Sequence, residues 1–553
     1  MSTVTPTLDN GKRSRLTGVV SAFKDPTTII AIVVVTIPLA VMVLYPVVNV
    51  LVQPAIEHWQ TFFSRTRYLT TLRNSLVMAA LSTVSATFVG FCFAYALSRP
   101  NFPGKTFFRV TSILPLISPP FVAGLALILL LGRRGIITHG LLGVDVSMYG
   151  WHGLWLAQTM AYYPIAAMTL SGVLKSLNPT LEYAAQDLGQ SRWGIFKTVV
   201  LPMTIPGIAG AALLVSMLSL SDFGNPMVIG GPFRVMAVEA YVQVVGMQNL
   251  GMAAAISVVL LVPSLLFFLI QRYWVGRRQY TSVSGKGGGL DPIELPTAVK
   301  WALFAFLSFV SLFVVAIFVV IVWGAFARTW GFDWSLTLDN FEFTFLARLG
   351  HIWNSVRFSL AAGFGTAVFA VIAAYVLLRK RFVGMKAFDF LVVLPAALPG
   401  TLVGIAYIFA FNRPPLVLTG TGLIIILSMA IRNVPVGYRT ALAGLQQIDI
   451  SIEESAADGG ANTFQILKDI TLPLLKTAFT VTLVYTFVRS MNTVSAVVFL
   501  VAAGTNVATT SILGLSEHGY WGEAAAMATI LIAITSSVVI AFRVLGGKRL
   551  FEL

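Results

Sequence analysis

The sequence predicts an all-α polytopic membrane protein in which twelve transmembrane helices form two parallel six-helix repeats. Three observations lead to this fold class: the composition, the length of the apolar blocks and an internal repeat. Of the 553 residues, 57% are hydrophobic and 11% are charged, whereas a soluble domain is about half apolar and about a quarter charged. A water-soluble core could not hide this much apolar surface, so lipid must solvate it.

Twelve apolar blocks are long enough to cross a membrane. A hydrocarbon core of about 30 Å needs roughly 20 residues at about 1.5 Å rise per residue. Because the blocks are continuous and do not alternate over ten-residue segments, they favour helices over a β-barrel. The predicted spans of the first half are 28–52, 74–97, 107–132, 152–174, 199–221 and 252–271. Those of the second half are 300–324, 354–378, 388–411, 421–443, 474–496 and 523–545.

The distribution of positive charge predicts that both termini face the cytoplasm. If each block crosses once from a cytoplasmic N-terminus, the seven cytoplasmic segments hold 25 of the 37 Lys and Arg residues. This excess follows the positive-inside rule. We therefore expect a multi-pass protein of the bacterial inner membrane, surrounded by lipid. The net charge of +15 is scattered between apolar blocks, which argues against nucleic-acid binding.

The spans divide the chain into five segments. The block after the basic N-terminal segment is too long for a signal-peptide core, so we interpret it as an uncleaved first span. Residues 282–289 are rich in Gly and Ser, the composition of a flexible linker. The predicted organisation is a cytoplasmic N-terminal segment (1–27), a first repeat (28–275), a cytoplasmic linker (276–299), a second repeat (300–545) and a cytoplasmic tail (546–553).

The two halves of the chain match each other in sequence. At an offset of 280, Asn74-Ser75 matches Asn354-Ser355, and at an offset of 271, Glu182 matches Glu453. Six spans per half give both halves the same orientation, and such parallel repeats usually enclose a route at their interface. Two tandem bundles without a shared site are the alternative. Further matched pairs are Arg99 and Arg379, Phe102 and Phe382, Gly104 and Gly384, Pro115 and Pro395, Pro119 and Pro399, Pro164 and Pro435, Gly189 and Gly460, and Pro202 and Pro473.

The loop between the fourth and fifth spans of each half carries the most specific motif. It contains a glutamate, two small residues and a glycine, and a Leu-Pro pair follows, with thirteen residues from the glycine to the proline in both copies. Each copy predicts a short helix with one face of small side chains, which would let another protein approach closely. Gly189 and Gly460 are suited to a positive φ at the turn after the helix.

These residues resemble the E-A-A-x-x-x-G loop of binding-protein-dependent ABC importer permeases. The resemblance covers nearly the whole chain and implies the type I ABC importer permease fold. It also implies two copies of an ATPase subunit, each docked on one loop, and an extracytoplasmic substrate-binding protein. Ser455 stands where the family usually has alanine, and its small size should preserve the fit. A loop helix that only caps its own bundle is the alternative. The implied coupling residues are Glu182, Ala184, Ala185, Gly189, Glu453, Ser455, Ala456 and Gly460.

The chain carries no sign of catalytic machinery of its own. No G-x-x-x-x-G-K-[ST] phosphate loop occurs, so ATP and Mg²⁺ are expected on a partner ATPase. We expect no cofactor in this chain. The single cysteine, Cys92, excludes an internal disulfide, and no two of the five histidines have the spacing of a helical metal site. We interpret the chain as a transport subunit and not an enzyme.

Ionisable and amide side chains within apolar blocks are costly, so we take them as candidates for the translocation path. Asp222 follows the fifth span, and the matching region of the second half holds Arg489 and Asn492. The alternative is that such groups lie at the membrane interface or pair only to satisfy one another. The candidate path residues are Asp222, Asn225, Arg432, Arg489 and Asn492.

The fusion of two halves in one chain is most like the permeases of the ferric-iron uptake class. The stretches 221–230 and 495–500 are similar to that group. Permeases for phosphorylated organic compounds such as aminoethylphosphonate or sugar phosphates, for thiamine and for polyamines are close alternatives. A secondary transporter also commonly has twelve spans, but would need more intramembrane carboxylates. A membrane enzyme would need a catalytic cluster that the spans lack.

Overall fold

The computed structural model describes residues 26–275, 291–380 and 382–546, and most of this part of the chain is helical. The predicted N-terminal segment up to residue 25, the linker up to residue 290, including its Gly- and Ser-rich part, and the tail from residue 547 lie outside the described residues.

The first half consists of thirteen α-helices with short π- and 3₁₀-helical segments between some of them. The 3₁₀ segment is Leu114–Leu116, and the π segments are Ala40–Leu44, Ile136–Leu141, Phe196–Val200, Val242–Gly246 and Gln271–Val275. The α-helices are α1 (Pro26–Leu39), α2 (Tyr45–Val52), α3 (Ile56–Ser64), α4 (Thr66–Ser98), α5 (Lys105–Ile113), α6 (Val122–Leu131), α7 (Trp151–Ser176), α8 (Thr180–Asp187), α9 (Arg192–Ile195), α10 (Leu201–Leu220), α11 (Gly224–Ile229), α12 (Met236–Tyr241) and α13 (Leu250–Ile270).

The second half repeats this order and adds a small hairpin that the all-α prediction did not include. The hairpin pairs β1 (Ala327–Thr329) antiparallel with β2 (Asp333–Leu336). The 3₁₀ segments are Leu394–Ala397 and Val497–Phe499, and the π segment is Ile466–Thr471. The α-helices are α14 (Thr297–Phe326), α15 (Asp339–Arg379), α16 (Met385–Val393), α17 (Gly400–Phe411), α18 (Gly422–Leu445), α19 (Ile450–Asp458), α20 (Thr463–Gln465), α21 (Leu472–Leu474), α22 (Lys476–Met491), α23 (Ala508–Glu517) and α24 (Trp521–Gly546).

Among the described residues, eight helical stretches are long and apolar enough to cross a membrane, and two further stretches qualify if each bent pair of helices is one span. The two remaining blocks of the twelve correspond to α7 and α18. These two helices have the length of a span but are less apolar than the other spans. Much of their surface is buried inside the protein. A helix shielded from lipid can carry polar side chains at lower cost. The count of twelve spans stays a prediction.

The third predicted span of each half is broken at its prolines. In the first half, α5 leads through the 3₁₀ segment at Pro115 to a break before α6. In the second half, α16 and α17 are bent by 109° on either side of Pro399. Proline lacks the backbone N–H and cannot continue a helical ladder, so matched prolines place a matched break in each half. The blocks 107–132 and 388–411 are therefore not single straight helices.

The internal repeat is visible in equivalent hydrogen bonds. The Ser75 Oγ accepts a hydrogen bond of 2.8 Å from the backbone N–H of Met236, and the Ser355 Oγ accepts one of 2.7 Å from that of Ala508. The neighbouring amides Asn74 and Asn354 donate to backbone carbonyls of the same two segments, at Arg234 and at Asn506. The repeated Asn-Ser pair thus holds the segment that follows the fifth span of each half.

The first helix of each half packs against the other half. α2 lies against α17, and the ring of Tyr45 is 6.2 Å from that of Phe411. α14 lies against α5 and α6, where the Ser311 and Thr111 hydroxyls are 2.8 Å apart. This exchange makes one interlocked body of the two repeats.

Candidate functional site

We call the segments between α7 and α10 and between α18 and α22 the first and second coupling loops, and their helices α8 and α19 the coupling helices. The first coupling loop is built around a buried ion pair. α8 directs Glu182 toward its own bundle, where the Arg99 Nη1 lies 2.5 Å from the Glu182 Oε2. Both side chains are buried, and the Arg99 guanidinium also lies 4.6 Å from the centre of the Tyr95 ring. A charge left alone in such a place would cost several kcal/mol, roughly 3–5 kcal/mol when one partner is removed. Arg99 therefore ties α8 to the C-terminal end of α4.

The second coupling loop repeats this pair. The Arg379 Nε lies 3.1 Å from the Glu453 Oε1, and both side chains are buried. The Arg379 Nη2 also donates to the backbone carbonyls of Leu445 and Ile448, at 3.3 and 3.0 Å. These carbonyls lie at and just beyond the C-terminal end of α18. Arg379 thus joins α15, α18 and α19 at one point.

The two arginines were not among the predicted site residues, although the sequence contained the signal for them. Arg99 and Arg379 match at the offset of 280, and the glutamates match at 271. An arginine and a glutamate that recur at matching positions in both halves indicate that these two residues form a pair within each half. Sequence separations of 83 and 74 residues hid the contact.

The start of the second coupling helix is fixed by a side-chain cap. The Asp449 Oδ1 accepts a hydrogen bond of 3.0 Å from the backbone N–H of Ser451. This hydrogen bond holds the pKa of Asp449 below its usual range. An aspartate at this position satisfies a free amide and complements the positive end of the helix. α19 therefore begins at a defined residue.

A glycine with the predicted backbone conformation lies two residues after the end of each coupling helix. Gly189 has φ = +82° and Gly460 has φ = +89°. Residues with a side chain rarely adopt this left-handed region, whereas glycine enters it without a steric penalty. The expectation that these glycines turn the chain is confirmed, and the turn directs α9 and α20 back toward the membrane.

The exposed side of each loop includes large apolar side chains beside small and polar ones. Leu188 is 85% exposed and Trp193 is 63% exposed in the first loop, and Phe464 is 62% exposed in the second. Of the predicted coupling residues, those that face outward are Ala184, Gly189, Ser455 and Gly460, those that are buried are Glu182, Ala185 and Glu453, and Ala456 is half-buried. The glutamates are therefore in a position to orient the loop, and Ala184, Ser455 and the two glycines form part of its outer surface.

The end of the predicted linker lies on the first coupling loop and is not a free connection. The backbone N–H of Ile293 donates to the Glu182 Oε2 at 3.3 Å, and its carbonyl accepts from the Arg99 Nη1 at 3.1 Å. Glu294 accepts from the Asn101 Nδ2 at 2.6 Å through its side chain and from the Arg192 Nη1 at 2.5 Å through its carbonyl. We call residues 291–296 the strap, because they cross the Arg99–Glu182 pair and lead into α14.

Of the predicted path residues, Asp222 and Asn225 share one buried hydrogen-bond network within the first half. The Asp222 Oδ2 accepts from the Gln158 Nε2 at 3.0 Å and from the Asn225 Nδ2 at 2.9 Å. The Gln158 Oε1 in turn accepts from the hydroxyls of Ser82 and Ser219. Gln158 was missed from the sequence, because an amide in a long apolar block carries no charge to mark it.

Asn492 joins the two halves at the broken third span. Its Nδ2 donates to the backbone carbonyl of Ile117 at 3.0 Å, and the Thr535 hydroxyl donates to the same oxygen at 3.0 Å. Ile117 lies in the break between α5 and α6, where proline has freed backbone groups from the helical ladder. Two polar side chains of the second half thus satisfy a carbonyl exposed by the break in the first half.

Arg432 and Arg489 both belong to the second half, on α18 and α22. The Arg432 Nη1 is 3.2 Å from the Thr493 Oγ1 and 3.3 Å from the Ser495 Oγ. Arg489 is four residues before Thr493, and neither arginine forms an ion pair with any of the described residues. The two arginines are close enough to interact electrostatically, and Arg489 also interacts with Tyr162, whose hydroxyl lies beside Asp222. The structure therefore places Arg489 near the Asp222 network. Within the described residues, no three His, Cys, Asp or Glu side chains form a group that could hold a metal ion.

The chain matches one protein family in both halves. Residues 86–280 and 366–550 each match the inner membrane component of binding-protein-dependent transport systems. The chain belongs to this family. The two matches contain both coupling loops and all the candidate path residues, and the permease is thus a tandem of two family domains.

Three relatives illustrate where the permease lies within the family. It is 38% identical over 491 residues to the ferric transport system permease protein FbpB of Actinobacillus pleuropneumoniae, covering 87% of this chain and 72% of the relative. It is 40% identical to a putative ferric transport system permease protein FbpB 1 of Haemophilus influenzae, covering 79% of this chain and 71% of the relative. The molybdenum transport system permease protein ModB of Escherichia coli is 30% identical over 210 residues, which cover 37% of this chain and 91% of the relative.

Proposed function

We propose that this permease forms the translocation path of an ATP-driven importer of ferric iron. The observation that carries the substrate is the 38–40% identity, over about four-fifths of the chain or more, to two permeases named for ferric transport. The match to the ModB relative covers only 37% of the chain. A molybdenum-containing anion is therefore the competing cargo that the experiment must exclude.

The proposed importer has three kinds of component. Two ATPase subunits dock on the coupling loops, bring ATP and Mg²⁺, and hydrolyse the nucleotide. An extracytoplasmic binding protein delivers the cargo to the outer face. The permease lies in the bacterial inner membrane with both termini in the cytoplasm, as its positive charges favour.

The proposed mechanism uses the loops as levers. When the ATPase subunits close on ATP, they draw together the two loops that they hold. The buried pairs Arg99–Glu182 and Arg379–Glu453 tie each loop to the second span of its own half. Movement of a loop is therefore transmitted to that span, and the midline between the halves opens outward. Hydrolysis of ATP then restores the inward-facing state.

Transport is tested in proteoliposomes that contain the permease, its ATPase and the binding protein. We expect ATP-dependent uptake of iron when the binding protein is loaded with ferric iron, and no uptake when it is offered molybdate. Uptake of molybdate alone would overturn the iron assignment. Uptake driven by an ion gradient without ATP would overturn the importer class.

The docking of the ATPase is tested by crosslinking at neighbouring positions. Ala184 is exposed on α8, whereas Ala185 is buried against the bundle. We expect A184C to crosslink with a cysteine in the loop-binding groove of the ATPase, and A185C to serve as the matched control that does not. Absence of the A184C crosslink in an active complex would contradict the docking surface proposed here.

A further inference from the structure

A charged cluster of the first half lies on the side of the permease opposite to the coupling loops. It consists of Glu239 on α12, Arg67 at the start of α4, and Arg234 just before α12. Glu239 is completely buried, and its Oε1 lies 2.9 Å from the Arg67 Nη2. The Arg67 Nε and Nη2 also donate to the Glu239 Oε2, at 3.3 and 3.0 Å. The Arg234 Nη1 is 3.7 Å from the same oxygen.

The cluster presents positive charge outward. The Arg67 side chain is 39% exposed and the Arg234 side chain is 49% exposed, whereas the carboxylate between them is not exposed at all. Two guanidinium groups on one carboxylate leave a net charge of about +1 at the surface. Because its hydrogen bonds to the buried Glu239 fix the Arg67 guanidinium, the remaining N–H donors of this group are oriented before any partner arrives. This lowers the entropy cost of binding.

At the aligned positions, all of which the structure describes, the second half lacks the charged residues of this cluster. The hydrogen bonds of the repeated Asn-Ser pair align Arg234 with Asn506 and Glu239 with Ser511, and the offset of 280 aligns Arg67 with Ala347. The wider surface differs in the same sense. The outer segments 53–73, 133–150 and 222–249 hold six arginines and four carboxylates, whereas 325–353, 412–420 and 492–520 hold three arginines and four carboxylates.

The position of α12 brings the cluster close to the interface between the halves. The ring of Tyr241, at the end of α12, is 5.8 Å from the ring of Phe499 in the second half. Glu239 and Tyr241 lie on the same short helix, so the helix that carries the carboxylate of the cluster reaches the interface between the halves, where the mouth of the proposed path would lie. Lipid headgroups surround the perimeter, whereas a protein that delivers cargo must cover this mouth. The location therefore favours a protein partner over lipid.

We propose that Arg67 and Arg234 form a docking site for an acidic surface of the cargo-delivering binding protein. This proposal rests on the importer function proposed above. The less basic outer face of the second half would meet a less acidic part of the same partner, so the difference in charge between the halves would fix which way round the partner binds. Complementary surface charges act mainly on the rate of association and on orientation.

The test measures association of the iron-loaded binding protein with the permease in nanodiscs at low and at physiological salt. We expect R234E to lower the association rate constant about tenfold at low salt, with little change in the dissociation rate constant. R234K should retain most of the rate because it keeps the charge. R413E, on an exposed loop of the second half, is the matched control and should leave the rate within about twofold.

Three other outcomes decide against the proposal. Equal association rates for wild type and R234E would overturn it, and so would an equal loss in R413E. A loss that appears only in nanodiscs with anionic lipid would assign the arginines to lipid headgroups. Since Arg67 contacts a buried carboxylate, R67Q is made together with E239Q, and basal ATP hydrolysis reports whether the complex is intact. If wild type does not bind the loaded partner at all, the importer function fails instead.

Discussion

Arg99 and Glu182 lie 83 residues apart in the sequence and 2.5 Å apart in the structure, and the strap crosses them through Ile293. The same partnership recurs as Arg379 with Glu453. In each half, a carboxylate expected to contact the ATPase instead points inward and fixes the helix that carries it. The outer face of the loop is formed by other residues, which include small, apolar and polar side chains.

Two adjacent glutamates separate the buried role from the exposed one. Glu453 is buried against Arg379, whereas Glu454 is exposed. We expect E453Q to abolish most ATP-coupled transport, because it leaves the buried Arg379 charge without an opposite charge beside it, at a cost of about 3–5 kcal/mol. E454Q is the matched control and should transport normally. Uptake and ATP hydrolysis are measured together, and equal uptake by the two variants would contradict the positioning role of Glu453.

A pair of neighbouring glycines tests the turn after the second coupling helix. Gly460 has φ = +89°, whereas Gly459, just before it, has no such requirement. We expect G460A to destabilise the loop by about 1–2 kcal/mol, since an L-residue pays that amount in the left-handed region. G459A should have little effect. Limited proteolysis of the loop in detergent gives the comparison, and indistinguishable cleavage of the two variants would remove the need for glycine at residue 460.

The strap should contribute to coupling as well as to the connection between the halves. Glu294 accepts a hydrogen bond of 2.6 Å from Asn101 at the end of the second span. We expect E294A to lower the number of cargo ions moved per ATP hydrolysed, because the first loop is less firmly held. E294Q keeps an acceptor and should restore most of the ratio. Unchanged transport per ATP in E294A would show that the strap is only a tether.

The Asp222 network should be sensitive to the loss of one acceptor. The carboxylate accepts hydrogen bonds from Gln158, from the Asn225 side chain and from the Asn225 backbone. In D222N, an NH₂ group replaces one carboxylate oxygen, so that a donor faces a donor, at a cost of about 1–3 kcal/mol. We expect the uptake rate to fall about tenfold or more. D145N changes an exposed carboxylate of an outer loop and serves as the control, and a similar fall in D145N would contradict a specific role for the network.

Much of the architecture could be predicted from the sequence because membrane helices are marked by length and apolarity. α7 and α18, predicted as the fourth span of each half, are less apolar than the other spans, and much of each helix is buried inside the protein, where they carry Gln158 and Arg432. The breaks of the third spans follow from Pro115 and Pro399, but their angle depends on packing. Proline predicts that a helix stops and not where the chain goes next.

The coupling loops could be located from the sequence, but the orientation of their side chains could not. Glu182 and Ala185 are three residues apart, so they share one face of a helix, and periodicity does not say which face is inward. Burial of that face against Arg99 settled the orientation. The strap was hidden for another reason, since residues 291–296 have the composition of an ordinary loop and are held by contacts of their backbone and of the Glu294 side chain that only the structure shows.

The exchanged first helices have a consequence for how such a chain can arise and be divided. The first helix of each repeat packs against helices of the other repeat. Two separate genes for the halves would therefore yield subunits that clasp one another on assembly, and joining the genes would raise the local concentration of the partners without creating the contact. Covalent fusion here secures equal amounts of both halves, while the packing of the exchanged helices holds the halves together.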